Sequence, residues 1–478
     1  MDREYSVWYT MSRNFGHEFL TEISTFGTET ALIWRDQEIS FENFQKLVGK
    51  WKNIIEKQKK NYLNTLRIAL FCSNSPDILS IIIASQLSGI TVIPLNPSFK
   101  KYEIDKYIAE SNANFLIVSD DVDCEKFEEI EFHTISELLS AEDNCVDIDE
   151  SPASSHSGAI VFFSSGTTGP PKLFEYSQKI LCSQIDQLRE IQLDSRFFSP
   201  SKTDICYGVL PFFHAGGLIT VFSMIFSGCT ILINERWNEQ EFLSNCQKYR
   251  VSVLFLVPPV LNFFANHPLI SNFDLSSLKT IYVGAAASPP ENFRKVSERL
   301  PKLENLIQLY GTTECGVLLC STGKGITNGK NVGLPYPLVE LKINSKNSEI
   351  LVKSKTGVEE GFMETGDLGC LSYKLKELML IGRMKEMMKV RGWQVNPNEI
   401  ENVIRKVKNV IDCAVYQSTI PDKLMAKVIG NPGTKNEIIS VVKENLASYK
   451  QLDDVIFVSE LPKNSSGKLM RHLLQRDI

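Results

Sequence analysis

The sequence predicts an α/β protein with a large N-terminal body of mixed, mainly parallel sheets and a small, mobile α+β domain at its C-terminal end. Short apolar runs alternate with amphipathic segments through the first part of the chain, which is typical of βαβ units around a parallel sheet. After about residue 335 the pattern changes to short strands bounded by turn residues, which is typical of an antiparallel sheet. We therefore predict a large domain over residues 1–384, with a small antiparallel β subdomain at about 335–384, and a small domain over 385–478.

The individual elements follow from the length and composition of each segment. Short runs rich in Ile, Val, Leu and Phe predict buried strands, and the amphipathic segments between them predict helices. In the body the predicted strands are 67–72, 91–95, 114–118, 159–163, 253–257 and 280–283, and the predicted helices are 77–87 and 102–110. Further along the chain we predict strands at 340–343, 349–352, 378–381 and 412–416, and helices at 398–407 and 435–446.

One stretch, from residue 205 to 233, resembles a membrane span because it contains no Asp, Glu, Lys or Arg. A spanning helix needs about 20 consecutive apolar residues, and Pro211, Gly216 and Gly228 interrupt this stretch. Residues of these types end helices and form turns. We therefore predict a strand, a loop, a buried helix and a second strand here, and no integral membrane segment.

Composition excludes several classes of function. The 478 residues include 51 Lys and Arg against 57 Asp and Glu, a net charge of −6, which argues against a nucleic-acid partner. The 11 cysteines form no Cys-x-x-Cys pair, so neither a zinc site nor a disulfide framework is indicated. Free thiols, and an N-terminus without an apolar signal segment, predict a cytoplasmic location.

The sequence FFSSGTTGPPK at residues 162–172 follows an apolar run and is rich in hydroxyl and glycine residues. Successive backbone N–H groups in such a turn form an anion-binding concavity, and hydroxyl and ammonium groups add further donors. The Walker A spacing is absent, so the mechanism of P-loop NTPases does not transfer. On composition alone a plain Ser/Gly loop is an equally good interpretation. The candidate phosphate-binding residues are Ser164, Ser165, Gly166, Thr167, Thr168, Gly169 and Lys172.

Further motifs identify this loop. They are QLYGTTE at 308–314, TGD at 365–367, GRMKE continuing to KVRGWQVNPNE over 382–399, and PKNSSGK at 462–468. Together with the loop they resemble the core motifs of the AMP-forming acyl-CoA synthetase family, the adenylate-forming enzymes, in the family's order from about residue 31 to 468. The spelling is closest to the branch of 4-coumarate–CoA ligase and firefly luciferase. The resemblance implies ATP, Mg²⁺ and CoA as cofactor and co-substrates, and a small carboxylic acid as substrate.

The resemblance also implies roles for catalytic residues. Lys468 matches the lysine that bridges the α-phosphoryl and carboxylate oxygens during adenylation. Glu314 matches the carboxylate on the magnesium side, and Thr313 beside it donates toward the α-phosphate. Asp367 matches the residue that holds the ribose hydroxyls, and Arg383 approaches the same sugar.

The adenine base has its own predicted site. Gly284, Ala285 and Ala286 follow a predicted strand and resemble the family's adenine-binding turn, where small residues let the base lie against the backbone. Tyr310 is implied to stack on the other face of the base, with Gly311 next to it in the same motif. A tight strand-to-helix turn is an equally compatible interpretation of the first segment.

Three residues are implied to serve the acid and CoA. His214, in LPFFHAGG at 210–217, matches the histidine that gates the carboxylate pocket, although a lone His in an apolar run is more often a core residue. Lys385 matches the hinge position, and Gly392 matches the glycine beside which pantetheine threads. Relatives that activate amino acids have an acidic residue soon after the histidine, whereas here none occurs before Glu235. We therefore expect a substrate without an α-ammonium group.

We expect activation of an apolar fatty or aryl acid to acyl-AMP, followed by transfer to CoA. The alternatives are transfer of the acyl group to a carrier protein and a non-catalytic acyl-nucleotide binder. Departures from the family pattern are a short segment between 352 and 365, an abbreviated region at 421–432, and LFEYS at 173–177 in place of the usual Gly-Val…His ending. The residues that suggest apolar pocket walls are Phe212, Phe213, Val257, Phe263 and Phe264.

Overall fold

The structure is a computed structural model of the chain. It describes residues 13–62, 65–122, 127, 131–141, 158–164, 172–235, 237–418, 423–463 and 468–475. Among these residues no helix is both long and apolar enough to cross a membrane. The described cysteines are all free thiols.

Each predicted helix is present, and those predicted with bounds agree to within three residues at each end, where assignments normally differ. The structure also contains helices for which the sequence analysis gave no bounds. The helix bounds are α1 Phe15–Ile23, α2 Phe41–Lys59, α3 Pro76–Leu87, α4 Lys101–Ser111, α5 Ile135–Ser140, α6 Gln178–Leu193, α7 Ala215–Phe226, α8 Glu239–Lys248, α9 Pro258–Asn266, α10 Pro290–Arg299, α11 Pro397–Ile404 and α12 Lys435–Asn445.

The strands include every predicted one, together with hairpins that the sequence pattern did not predict. Their bounds are β1 Thr30–Trp34, β2 Gln37–Ser40, β3 Arg67–Phe71, β4 Thr91–Pro94, β5 Phe115–Val118, β6 His133–Thr134, β7 Ala159–Phe163, β8 Leu173–Ser177, β9 Ile205–Gly208, β10 Thr230–Ile233, β11 Val253–Leu256, β12 Thr280–Val283, β13 Asn305–Thr312, β14 Gly316–Ser321, β15 Leu334–Pro335, β16 Val339–Ile343, β17 Glu349–Ser354, β18 Met363–Leu371, β19 Leu378–Arg383, β20 Met388–Val390, β21 Trp393–Val395, β22 Val410–Gln417, β23 Leu424–Gly430 and β24 Asp454–Phe457.

Two large sheets form the body. The six-stranded sheet has the order β6-β5-β3-β4-β7-β8 and is parallel except for the β7–β8 hairpin at its edge. The nine-stranded sheet has the order β15-β14-β13-β12-β11-β9-β10-β1-β2, with parallel strands in the middle and antiparallel pairs at both edges. The predicted fold class is therefore confirmed for the body.

The uncharged stretch at 205–233 forms β9, α7 and β10, as predicted. All residues of α7 except Gly216 are buried. In α3 every residue except Asp77 is buried, as expected for a helix that is apolar on all sides. The largest hydrophobic core joins side chains of both large sheets with side chains of α1, α2, α3, α6 and α7.

The last part of the chain is antiparallel and then α+β, as predicted. Strands β16 to β19 form a four-stranded antiparallel sheet in sequence order. Beyond it, β22 and β23 pair antiparallel, β24 adds to β23 in parallel, and α11 and α12 pack in the same hydrophobic core. The short hairpin β20–β21 lies between these two sheets in the sequence.

Candidate active site

The predicted phosphate loop lies at the end of the β7–β8 hairpin. Its two ends meet, because Ser164 N–H donates to the carbonyl of Lys172 at 2.8 Å and Lys172 N–H donates to Ser164 Oγ at 3.0 Å. The candidate residues Ser165, Gly166, Thr167, Thr168 and Gly169 lie outside the described residues. The hairpin therefore fixes where the loop begins and ends.

Thr313 and Glu314 occupy the turn between β13 and β14. Gly311 is required at the base of this hairpin, because a Cβ there would lie 1.8 Å from the carbonyl oxygen of Val317. Within the turn, Cys315 N–H donates to Thr312 Oγ1 at 3.0 Å. The hairpin thus places the two predicted catalytic residues at the end of strands β13 and β14 of the nine-stranded sheet.

Two contacts from other elements hold this turn. Tyr176 Oη, on β8, donates to the carbonyl of Thr313 at 2.7 Å. Val358 N–H donates to the carbonyl of Glu314 at 3.0 Å. Sequence reasoning did not assign a role to Tyr176. The structure shows it as the one buried residue of β8, and the available signal was a tyrosine in the segment that follows Lys172.

The Asp367 carboxylate is held by two side chains. Arg383 Nε donates to its Oδ1 at 2.7 Å, and Tyr310 Oη donates to its Oδ2 at 2.9 Å. Asp367 and Arg383 are paired residues of β18 and β19. Asp367 is buried, and Asp367 N–H also donates to Thr365 Oγ1 at 3.1 Å. The predicted ribose-binding residues therefore lie together, with Tyr310 beside them.

The predicted adenine-binding turn follows β12. Gly284 N–H donates to the carbonyl of Leu256 at 3.1 Å, which ties the turn to β11. Ala285 has φ 73°, in the left-handed region, and such a conformation costs a residue with a Cβ about 1–2 kcal/mol. Ala285 and Ala286 are exposed, so two methyl groups and the backbone between them form an open apolar surface.

His214 is the N-cap residue of α7, and its carbonyl accepts from Leu218 N–H at 2.9 Å. The start of this helix approaches the preceding loop so closely that a Cβ on Gly217 would lie 2.1 Å from the carbonyl oxygen of Pro211. Desolvation, with a smaller contribution from the Lys468 charge, lowers the pKa of His214 to about 4. The imidazole is therefore neutral at pH 7 and can act as a hydrogen-bond partner without a charge.

Asn74, which sequence reasoning missed, clamps the segment before His214. Its Nδ2 donates to the carbonyl of Leu210 at 3.0 Å, and its Oδ1 accepts from Phe212 N–H at 2.9 Å. Asn74 follows β3 of the six-stranded sheet, whereas the segment follows β9 of the nine-stranded sheet. The signal available in the sequence was a polar side chain at the carboxyl end of a buried parallel strand.

Lys468 brings the C-terminal part of the chain to this site. Its ammonium is desolvated and interacts with the charges of Arg383, Asp367 and Glu314. Desolvation and the Arg383 charge lower the pKa of Lys468, whereas the carboxylates raise it. An ammonium group that is partly desolvated and influenced by these charges is suited to neutralising phosphate charge.

The predicted hinge and CoA residues lie on the surface. Lys385 is exposed in a 3₁₀ turn over Met384–Glu386. Arg391 and Gly392 form the two-residue turn of the β20–β21 hairpin with φ 52° and 82°, and two positive φ values are what a tight hairpin turn of this type requires. Gly392 is exposed with open space around its Cα, so a pantetheine tunnel at this glycine stays a prediction.

The chemistry of the donors fits a magnesium ion held mainly by nucleotide phosphates. Among the described residues there is no group of three or more His, Cys, Asp or Glu side chains that could hold a metal. Mg²⁺ retains several waters and is commonly bound by one or two carboxylates plus substrate phosphates. Glu314, which is half-buried in the turn beside Thr313, is the carboxylate that could contribute here.

Comparisons with known proteins agree with this geometry. The family model described as AMP-binding enzyme matches residues 19–359, and the model described as AMP-binding enzyme C-terminal domain matches residues 399–468. The 4-coumarate–CoA ligase 3 of Arabidopsis thaliana is 27% identical over 455 residues, covering 84% of this chain and 80% of the relative.

Solved structures share the fold. O-succinylbenzoate coenzyme A synthetase (MenE) of Bacillus subtilis, in complex with ATP and magnesium, has a TM-score of 0.82 at 20% identity, covering 98% of this chain and 100% of that chain. The amide bond synthetase McbA of Marinactinospora thermotolerans has a TM-score of 0.83 at 18% identity, covering 96% and 99%. With the first model matching more than half of its residues, the chain belongs to the AMP-binding enzyme family and is an adenylate-forming ligase.

Proposed function

We propose that the chain activates a carboxylic acid with ATP and transfers the acyl group to CoA. In the first half-reaction a carboxylate oxygen attacks the α-phosphorus of ATP, the bond to the β-phosphate oxygen breaks, and acyl-AMP and pyrophosphate form. In the second, the CoA thiol attacks the acyl carbonyl, AMP leaves with the bonding electrons, and the thiol proton is released. The first step requires positioning and charge neutralisation rather than a protein nucleophile.

The observation that carries this proposal is the Lys468 ammonium within the field of Asp367, Glu314 and Arg383. Lys468 lies about 100 positions from Asp367 and about 150 positions from Glu314 in the sequence. A buried titratable group that is influenced by charges from such distant segments is typical of a functional site. Lys468 would neutralise the α-phosphoryl and carboxylate oxygens during attack. Thr313 would donate a hydrogen bond to the same phosphate.

The remaining site residues would hold the nucleotide. Bound Mg²⁺ would supply charge neutralisation of the phosphates, with Glu314 as its protein ligand. The exposed turn at Ala285 and Ala286 supports an adenine lying against the backbone, and Tyr310 would contact its other face. Residues 164–169 and Lys172 would surround the phosphates, and residues 385–478 would form the small domain that turns between the two half-reactions.

The acid is proposed to be apolar, either fatty or aryl. Phe213 is partly exposed next to His214, with 5.6 Å between the ring centroids. Phe212 and Phe264 are fully buried in the hydrophobic cores, so they do not form accessible pocket walls as the sequence suggested. Glu235 pairs with Arg35 at 2.7 Å, which makes it a poor partner for a substrate amine. The name of the Arabidopsis relative favours an aryl acid.

CoA is the proposed acceptor, supported by the coenzyme A ligases among the relatives. The similarity to an amide bond synthetase favours an amine as the second candidate acceptor. A cytoplasmic location is part of the proposal, supported by the free cysteines of the described part of the chain. 

The experiment is a panel of short, medium, long-chain and aromatic acids incubated with MgATP, with and without CoA. Pyrophosphate release measures adenylation, and mass spectrometry of acyl-CoA measures transfer. We expect release with at least one acid and acyl-CoA only when CoA is added, and Lys468→Ala provides the inactive control. Release without acyl-CoA formation would exclude CoA as acceptor, and no release with any acid would contradict the proposed function.

A further inference from the structure

Tyr176 connects the hairpin of the phosphate loop to the turn that carries Thr313 and Glu314. Its ring is fully buried and packs edge-on against Phe162, with 5.1 Å between the ring centroids. Its hydroxyl donates to the carbonyl of Thr313 at 2.7 Å, across 137 residues of sequence. The bond links an edge strand of the six-stranded sheet with a hairpin of the nine-stranded sheet.

This tyrosine lies in the segment LFEYS at 173–177, which departs from the family's usual spelling. The segment begins directly after Lys172, and the strand it forms pairs residue for residue with β7 up to Phe163. Any shift of this strand relative to Thr313 therefore moves the ends of the phosphate loop as well. The hydrogen bond of Tyr176 fixes the distance between β8 and the Thr313 turn, at a point where the sequence departs from the family motif.

The hydroxyl remains a donor at every working pH. Burial raises the pKa of Tyr176 above its ordinary range, and the charge of Glu314 raises it further. The next carbonyl of the turn, that of Glu314, accepts from Val358 N–H at 3.0 Å. Two successive peptide groups of the turn are thus held by two different elements, one of which is the phosphate-loop hairpin.

We propose that Tyr176 is a positioning residue for adenylation, because its hydroxyl holds the Thr313–Glu314 turn in register with the phosphate-loop hairpin. The inference rests on the proposed function, which assigns Thr313 and Glu314 to the phosphate side of MgATP. Groups that bind phosphate and metal must be held within about half an ångström of the productive geometry. Loss of the hydroxyl leaves the Thr313 carbonyl without this partner and lets the turn shift.

The test compares Tyr176→Phe with the matched control Tyr207→Phe. Tyr207 is equally buried, and its hydroxyl accepts from Asn245 Nδ2 at 3.0 Å. ATP–pyrophosphate exchange is measured as a function of Mg²⁺ concentration, together with thioester formation from supplied acyl-AMP and the thermal midpoint. We expect Tyr176→Phe to slow ATP–pyrophosphate exchange about three- to tenfold, which corresponds to the net free energy of one buried hydrogen bond. We also expect a higher half-saturating Mg²⁺ concentration and an unchanged thioester step.

A merely structural hydroxyl would give a different pattern. It would lower the thermal midpoint and both half-reactions in proportion, as in Tyr207→Phe, and leave the Mg²⁺ dependence unchanged, and this result would overturn the inference. If the wild-type protein adenylates no acid, the proposed function fails. The inference about Tyr176 is then tested separately, by calorimetric measurement of MgATP binding to the wild type and to Tyr176→Phe. Weaker MgATP binding by Tyr176→Phe, with binding of metal-free ATP unchanged, would support the inference. Equal MgATP binding, or none by the wild type, would overturn it.

Discussion

Arg383 and Asp367 lie directly opposite each other on β19 and β18, with Arg383 Nε donating to Asp367 Oδ1 at 2.7 Å. The other oxygen, Oδ2, accepts from Tyr310 Oη at 2.9 Å. A carboxylate oxygen has two acceptor positions, so each oxygen retains one for a ligand. The two protein donors therefore fix the orientation of the carboxylate and leave each oxygen one acceptor position, which is compatible with the proposed ribose role.

Replacing this carboxylate should weaken nucleotide binding. We expect Asp367→Ala to reduce the affinity for ATP by roughly 1.5–3 kcal/mol, since a hydrogen bond to a charged group contributes about that much. Titration calorimetry with ATP measures it. Glu340→Ala is the matched control, because Glu340 lies in the same sheet and pairs with Lys353 at the surface at 3.0 Å. An ATP affinity equal to that of the wild type would remove Asp367 from the site.

The neutral state of His214 should appear in the pH dependence of stability. Its pKa of about 4 in the folded protein lies below the ordinary value of 6.5. Between these values the unfolded chain binds a proton that the folded protein does not, so the free energy of unfolding falls as the pH falls. The loss of unfolding free energy amounts to at most roughly 3.4 kcal/mol, from 1.36 kcal/mol per pKa unit.

We expect His214→Gln to remove this loss, because glutamine carries no titrating group. Denaturant unfolding of both proteins at pH 7 and pH 4.5 measures the effect as the change in their difference. Lys468, whose charge lowers the same pKa, is kept in both proteins. If both proteins lose the same stability on acidification, His214 is not desolvated as described.

The fold was predictable where the local pattern alone decides the structure. The continuous apolar runs at 159–163 and 280–283 form strands with those same bounds, because such runs in parallel sheets are buried on both faces. The β13–β14 hairpin was not predicted. Its turn contains Thr313 and Glu314 rather than a typical turn pair, and its register depends on the close approach of Gly311 to Val317.

The site was predictable as a set of motifs but not as a set of contacts. The bond between Tyr310 and Asp367 joins residues 57 positions apart, and the bond from Tyr176 to Thr313 joins residues 137 apart. The sequence motifs do not specify these partners, because the register and packing of whole sheets decide which side chains meet. The sequence likewise assigned Gly392 to a tunnel, whereas the structure adds that it completes a hairpin turn with Arg391.

Removing the Lys468 ammonium should separate the two half-reactions. We expect Lys468→Ala to abolish adenylation while thioester formation from supplied acyl-AMP survives, because in the proposed mechanism the lysine neutralises charge only during the adenylation step. Lys450→Ala is the control, since Lys450 lies in the same part of the chain and pairs with Glu399 at 2.6 Å. Quenched-flow measurement of each half-reaction decides the outcome, and an equal loss of both would refute this role.

The residues on either side of the proposed hinge form ion pairs with different parts of the molecule. Arg383 is bound to Asp367 of the antiparallel sheet. Three residues later, Glu386 accepts from Arg471 Nε at 3.1 Å, and the Arg471 guanidinium also donates to Glu401 at 2.6 Å within the C-terminal part. The backbone between these anchors contains Met384 and Lys385 alone. A rotation of the small domain that leaves both anchors intact must therefore occur at these two residues.

This arrangement predicts the effect of a proline at position 385. The Lys468 charge interacts with those of Asp367 and Glu314, which under the proposed function is the arrangement for adenylation, and the 3₁₀ turn at Lys385 is compatible with the φ of about −65° that proline imposes. In the proposed mechanism, transfer to CoA brings another face of the small domain to the site, and a fixed φ at the proposed hinge restricts that rotation. We expect Lys385→Pro to form acyl-AMP and pyrophosphate normally but to transfer the acyl group to CoA about tenfold more slowly or worse, as expected when a hinge residue loses its φ freedom.

Lys385→Ala, which removes the side chain and keeps the backbone free, should transfer at nearly the wild-type rate. Single-turnover measurement of both steps tests this, and unimpaired thioester formation by the proline variant would show that the domain does not turn at this residue.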